Sequence, residues 1–154
     1  MDSYHKYFSP AGPCSHISYK LLDDASRNVE NANQDKVYCD SVSAGSQSPD
    51  WEGSAWYRMV EPAGTQLPEY VVDKNRCGTH ASGWLNSSHP SEMGVAVDST
   101  VCYHWGSNPC AWSSDIQIMK CDSYFLYYLP NTDVCSLRYC ADSESSGKNI
   151  KTML

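Results

Sequence analysis

The chain has 154 residues, 41% of them apolar, which is enough for one domain with a real core. Eleven Lys and Arg against eighteen Asp and Glu leave a formal charge of −7, which argues against a nucleic-acid binder or a polybasic membrane-surface binder. Only 19% of residues are charged, and five Trp and eleven Tyr supply aromatic burial that a disordered chain lacks.

Residues 1–13 read as a loose lead-in, broken by Pro10, Gly12 and Pro13. Met1–Tyr7 has no apolar core of a signal peptide, so the chain is read as a fragment or a mature-numbered piece. Ser18–Leu22 is a short strand candidate. Asp23–Glu30 suits one or two helical turns with an Asp N-cap. Residues 40–54 read as a surface loop, with Trp51 as the most exposed tryptophan. Ala55–Val60 alternates as a strand: Trp56, Arg58 and Val60 share one face, Ala55, Tyr57 and Met59 the other. Tyr70–Val72 is a further short strand candidate. His80–Pro90 reads as a loop.

Gly94–Val97 and Val101–Trp105 are short β candidates, followed by a turn at Gly106–Pro109. Asp115–Cys121 alternates, with Ile116 and Ile118 inward and Gln117 outward. Tyr124–Leu129 is aromatic and β-prone, and Pro130–Asp133 turns it. Residues 141–154 read as a disordered tail. The longest apolar run, Tyr124–Leu129, is far short of the ~20 residues a spanning helix needs. The expectation is a mainly β, single disulfide-stapled domain of short antiparallel strands with a short helix, occupying residues 14–140.

Eight cysteines stand at 14, 39, 77, 102, 110, 121, 135 and 140. An even number in a Ser-, Gly- and aromatic-rich chain favours disulfides and an oxidising compartment. Spacing alone leaves 105 pairings open. Zinc is the poorer reading. Cys77-Gly-Thr-His80 has ligand-like spacing, but no second close pair completes a tetrahedron.

Catalytic motifs are absent: no Gly-x-Ser-x-Gly, no Walker loop, no His-Glu-x-x-His. His5, His16, His80, His89 and His104 are scattered, and His80 with Ser82 does not amount to a triad. No calcium loop is present, and no cofactor or metal is expected. Trp56, Trp84, Trp105 and Trp112 read as core residues. Asn86-Ser87-Ser88 is an N-glycosylation acceptor in a polar loop.

Together, several segments resemble the eight-cysteine domain of the family that includes uromodulin, the pancreatic zymogen-granule glycoprotein and the liver zona-pellucida-type protein. They are Tyr19–Arg27, Tyr38–Asp40, Trp56–Met59, Leu67–Glu69, Cys77–His80, Trp84–Pro90, Val101–Trp105, Cys110–Trp112, Ile116–Cys121, Tyr124–Leu129 and Cys135–Cys140. The resemblance implies the pairs Cys14–Cys121, Cys39–Cys135, Cys77–Cys140 and Cys102–Cys110. It also implies a secreted, extracellular, glycosylated module without catalytic activity. In two members the domain displays glycans that bacterial fimbrial adhesins bind.

This chain departs from the ten-cysteine members at Tyr70 and Pro109, where they carry two further cysteines that pair with each other. The adhesin-binding glycan of uromodulin falls at the place of Tyr128, which has no sequon here. Neither a zona-pellucida nor an EGF-like module is seen, so filament assembly does not carry over. The reading is a secreted binding or presentation module that displays a glycan on Asn86 to a partner such as a microbial adhesin. No nucleic acid is expected as partner, and this segment is not expected to insert in a membrane. The alternatives are a lectin-like module using an exposed Trp51, or a secreted hydrolase using His80 or His104 with a carboxylate.

Overall fold

The computed structural model describes residues 14–42 and 45–143; the expected lead-in, 1–13, lies outside them. The domain is mainly β. Its strands are β1 (Lys20–Leu22), β2 (Ala55–Met59), β3 (Ala81–Leu85), β4 (Ala96–Trp105), β5 (Asn108–Lys120), β6 (Phe125–Leu129) and β7 (Leu137–Tyr139). They form one sheet in the order β1-β2-β6-β5-β4-β3-β7. The four inner pairings are antiparallel, but the two outermost, β1 with β2 and β3 with β7, are parallel. Past the ends of β1 and β7 the chain pairs again, at an Asn28–Ala141 bridge. The two edges of the sheet are therefore tied together, and the sheet curls around a single interior.

That interior holds side chains from every strand: Leu22, Tyr57, Leu85, Tyr103, Ile118, Tyr127 and Tyr139 are all at most 1% exposed. The alternation behind β2 holds, with Tyr57 and Met59 buried and Trp56 and Arg58 half-buried. Ile116 and Ile118 point inward from β5 as well.

The helix expected at Asp23–Glu30 is one 3-10 turn, Ala25–Arg27, capped by the Asp24 carboxylate, which accepts from the Ser26 amide at 2.8 Å. Other expectations need correction. The stretch read as a loop from His80 contains β3, whose five residues are all buried; it pairs with β4 and β7, and the 70–73 segment packs on Trp84 and Ser82. A Cβ on its Gly83 would come within 2.6 Å of the Arg138 carbonyl oxygen, so only glycine lets β3 and β7 approach. The separate pieces at 94–97 and 101–105 belong to one long hairpin, β4–β5, whose turn is only Gly106-Ser107. Tyr70–Val72 is not a strand; its irregular backbone packs Tyr70 and Val72 against Trp84. Ala141 and Asp142, read as tail, are buried, and Asp142 N–H donates to the Gln66 carbonyl at 2.7 Å. Residues 144–154 lie outside the described residues.

The loop that begins at Asp40 keeps Val42, Pro49 and Glu52 exposed but buries Asp40, Ser48 and Trp51. Trp51 is 1% exposed, stacks on Tyr57 with centroids 4.7 Å apart, and donates its indole N–H to the Asn131 carboxamide at 2.8 Å. It is drawn inward by charge. The loop carries Asp40 and Asp50, and both engage the fully buried Arg27. Arg27 donates to both Asp40 oxygens, at 2.7 and 3.1 Å, and to Asp50. Asp40 also accepts from Ser48 Oγ (2.6 Å) and from the Tyr139 amide of β7 (2.9 Å). A second buried guanidinium, Arg138, donates to Ser48, Ser26 and the Cys77 carbonyl. Burial and the neighbouring Arg27 push the Arg138 pKa down to about 10. Burial would raise the Asp50 carboxyl, but the charge and hydrogen bonds of Arg27, the Asp24 amide and the Arg138 charge together reverse this and hold it below its ordinary value.

Candidate functional site

Asn86 is the residue just after β3 and is exposed, as are Ser87 and Ser88. Both sides of the acceptor are fixed. Upstream, Leu85 is fully buried and its amide donates to the Pro68 carbonyl at 2.8 Å. The Asn86 amide donates to the Thr100 carbonyl of β4 at 2.9 Å. Downstream, the His89 amide donates to the Glu69 carboxylate at 2.7 Å, and its ring Nδ1 lies 2.5 Å from the same oxygen. Nε2 lies 2.7 Å from the Tyr127 hydroxyl, which also accepts from the Leu67 amide. A neutral imidazole satisfies both contacts, donating from Nδ1–H and accepting the phenol proton at Nε2. The ring also packs on Phe125, with centroids 4.3 Å apart. Burial pushes the Tyr127 hydroxyl pKa up, so it stays a phenol. The Asn86 loop is thus an exposed turn held at both feet.

His89 is the anchor that the sequence reading missed. Its only local signal was the following Pro90; its partners are 20 and 38 residues away in sequence. The histidines considered for hydrolysis stand elsewhere. His104 Nδ1 donates to the Val72 carbonyl at 2.8 Å, and His80 packs beside Trp105. Neither meets a carboxylate among the described residues. Ser82 is fully buried, and its hydroxyl donates to the Asp73 carbonyl at 2.7 Å. The lectin reading loses the residue on which it rested, because Trp51 is inside. Trp84 is buried as expected, but Trp105 and Trp112, expected in the core, are 41% and 38% exposed. Trp105 ends β4 at the tip of the β4–β5 hairpin, and Trp112 stands opposite Tyr103 in the hairpin register.

The structure joins Cys14 to Cys121, Cys39 to Cys135, Cys77 to Cys140 and Cys102 to Cys110. The first three span 107, 96 and 63 residues, and the last closes the β4–β5 hairpin across 8. Tyr70 and Pro109 both border the Trp84 cluster: the Trp84 indole donates to the Pro109 carbonyl at 2.8 Å, and Tyr70 packs against the same group. Tyr128 is 37% exposed and meets Trp56 edge-on. Among the described residues, no cluster of His, Cys, Asp and Glu could hold a metal ion, and no helix is long and apolar enough to cross a membrane. A cleft of about 620 Å³ lies where β5 turns into β6. It carries both signs of charge, with Arg58 and Lys120 facing Glu61 and Asp122, and Arg58 is already engaged over the Tyr124 ring at 3.8 Å.

Residues 57–141 match a family model described as a uromodulin-like domain. The chain is 37% identical over 142 residues to the pancreatic secretory granule membrane major glycoprotein GP2 of Canis lupus familiaris, covering 92% of this chain and 25% of that protein. To the Mus musculus GP2 it is 35% identical over 153 residues, covering 93% and 27%. To uromodulin of Rattus norvegicus it is 38% identical over 99 residues, covering 64% and 15%. The chain spans about a quarter of the length of the GP2 relatives. With its eight cysteines paired on this curled sheet and the family model matched from β2 to beyond β7, the chain belongs to the uromodulin-like domain family.

Proposed function

We propose that this domain is a non-enzymatic presentation module whose displayed group is an N-glycan on Asn86. The module is extracellular and disulfide-bonded, as in its glycoprotein relatives. The observation that carries the reading is the mounting of Asn86: an exposed acceptor on a turn clamped by Leu85 on one side and His89 on the other. A glycan held there projects from a fixed point, so a partner binds without first ordering the loop. Tyr128 on the outer face of β6 has no acceptor sequence and takes no part in this display.

The partner is a sugar-reading protein, such as a microbial adhesin specific for mannose. The test compares wild type with Asn86→Gln, both secreted, in a pull-down with a mannose-specific adhesin, with a thermal melt on each. Loss of capture at an unchanged melt supports display. Capture of well-folded Asn86→Gln protein rejects it, and a lowered melt without loss of capture assigns the glycan to folding alone.

A further inference from the structure

Three of the five tryptophans are packed. Trp51 and Trp84 are buried, and Trp56 leans on Tyr128. The other two, Trp105 and Trp112, are both exposed, and both line the same cleft. This cleft of about 320 Å³ lies between the tip of the β4–β5 hairpin and the starts of β3 and β7. His80, Val134, Cys135 and Ser136 complete its lining. Its size falls at the lower end of the range for small-molecule sites, about 300–1,000 Å³.

Each wall of the cleft is fixed covalently. Cys102–Cys110 staples the hairpin that carries both indoles, and Cys39–Cys135 fixes the opposite wall beside Ser136. The Trp84 indole bond to the Pro109 carbonyl further secures the start of β5. Two large aromatic rings are thus held in water on a scaffold that cannot fold over to bury them. This is the arrangement a preorganised ligand site requires.

The lining selects the ligand. It contains no Asp, Glu, Lys or Arg, so a charged ligand finds no counter-ion. The indoles offer broad apolar faces, while the His80 ring, centred 5.8 Å from that of Trp105, and the Ser136 hydroxyl bring hydrogen-bonding groups to their edge. A ligand that matches has one apolar face, hydroxyls around its rim and no net charge. A neutral pyranose meets all three conditions: its axial C–H groups lie on the ring and its hydroxyls meet the rim. An extended apolar peptide would outrun so small a cleft and leave the polar rim unmatched. We propose that the Trp105–Trp112 cleft is a carbohydrate-binding site for a neutral pyranoside. It is independent of glycan display, because His80 and Ala81 precede or begin β3, whereas Asn86 follows its far end.

The test uses the secreted chain after enzymatic trimming of its own N-glycans, so that they do not compete. Saturation-transfer NMR is run with the methyl glycosides of mannose, glucose, galactose, fucose and N-acetylglucosamine at millimolar concentration. The expected result is transfer to the ring C–H protons of at least one glycoside, with a shift in indole fluorescence. Trp105→Ala and Trp112→Ala should each weaken it by about tenfold or more. Tyr128→Ala, on the other face, should leave it unchanged. Both tryptophans are exposed, so folding should survive; if one alanine variant misfolds, the other and His80→Ala carry the test. No transfer to any glycoside, equal binding by the tryptophan variants, or binding of N-acetyl-leucine amide but no glycoside would each overturn the proposal.

Discussion

Removing the Asp40 carboxylate is the sharpest test of what holds this fold together. Asp40 is fully buried and accepts four hydrogen bonds: two from Arg27, one from Ser48 and one from the Tyr139 amide. Asp40→Ala leaves a buried guanidinium with Asp50 as its one remaining carboxylate, and takes a partner from a hydroxyl and a strand amide. Breaking a buried ion pair from one side costs about 3–5 kcal/mol. Each neutral donor left without a partner adds about 1–3 kcal/mol, less whatever water recovers. Asp50 retains part of the charge compensation, so about 4 kcal/mol is expected, a large share of the 5–15 kcal/mol that typically holds a domain. At about 2–4 °C per kcal/mol, Tm should fall by roughly 8–16 °C. The assay is urea and thermal unfolding with all disulfides oxidised. Arg27→Met with Asp40→Leu should be milder than the two single losses added together, because an apolar pair leaves no stranded charge. A loss under about 1 kcal/mol for Asp40→Ala, or strict additivity in the double variant, would refute the reasoning.

Three further outcomes are expected. In the folded chain Asp50 is held below its ordinary 3.8, so the unfolded chain binds the extra proton. Its contribution is therefore present above about pH 4 and lost as pH falls below that; Asp50→Asn should flatten this acid limb in a stability–pH series. In the chain-entropy model the Cys14–Cys121 link is worth about 4.8 kcal/mol and Cys102–Cys110 about 2.5, so paired Ser variants should rank in that order in denaturant midpoints. Non-reducing peptide mapping should return the four pairs; Cys135 joined to Cys140 would count against them. His89→Ala takes a hydrogen-bond partner from both Glu69 and the Tyr127 hydroxyl and should cost about 2–4 kcal/mol, with amide exchange at residues 86–89 faster than in wild type; protection unchanged there would deny the clamp.

Strands buried on one face were legible, because a period of two survives in Ala55–Met59 and Asp115–Lys120. β3 was not, because a strand covered on both faces has no alternation to show, and its Ser-Gly pair reads as loop. The hairpin looked like fragments because Asp98, Ser99 and Thr100 interrupt its apolar residues, although backbone pairing runs straight through them. Trp51 and Arg27 were misplaced or missed for a shared reason. Each is buried through partners far along the chain, and arginines and loop tryptophans carry no local mark of that. At the candidate site the acceptor Asn86 was legible as a motif. Its anchor at His89 was not, since Glu69 and Tyr127 meet it only once β6 and the 67–69 segment are assembled.

The cross-links have a mechanical consequence. Tension applied between Cys14 and Cys140 bypasses most of the sheet. It passes from Cys14 straight to Cys121, and only the 19 peptide steps from Cys121 to Cys140 lie on the shortest covalent route. Even fully pulled out, that route reaches about 65 Å, against roughly 430 Å for the uncrosslinked stretch. Nearly all of the strands, including β2 to β5, hang off the force path as closed loops. In a stretched assembly such a module behaves as a short link: only β6 and β7 lie on its covalent route, while the β4–β5 hairpin and the Asn86 loop beside it stay off that route.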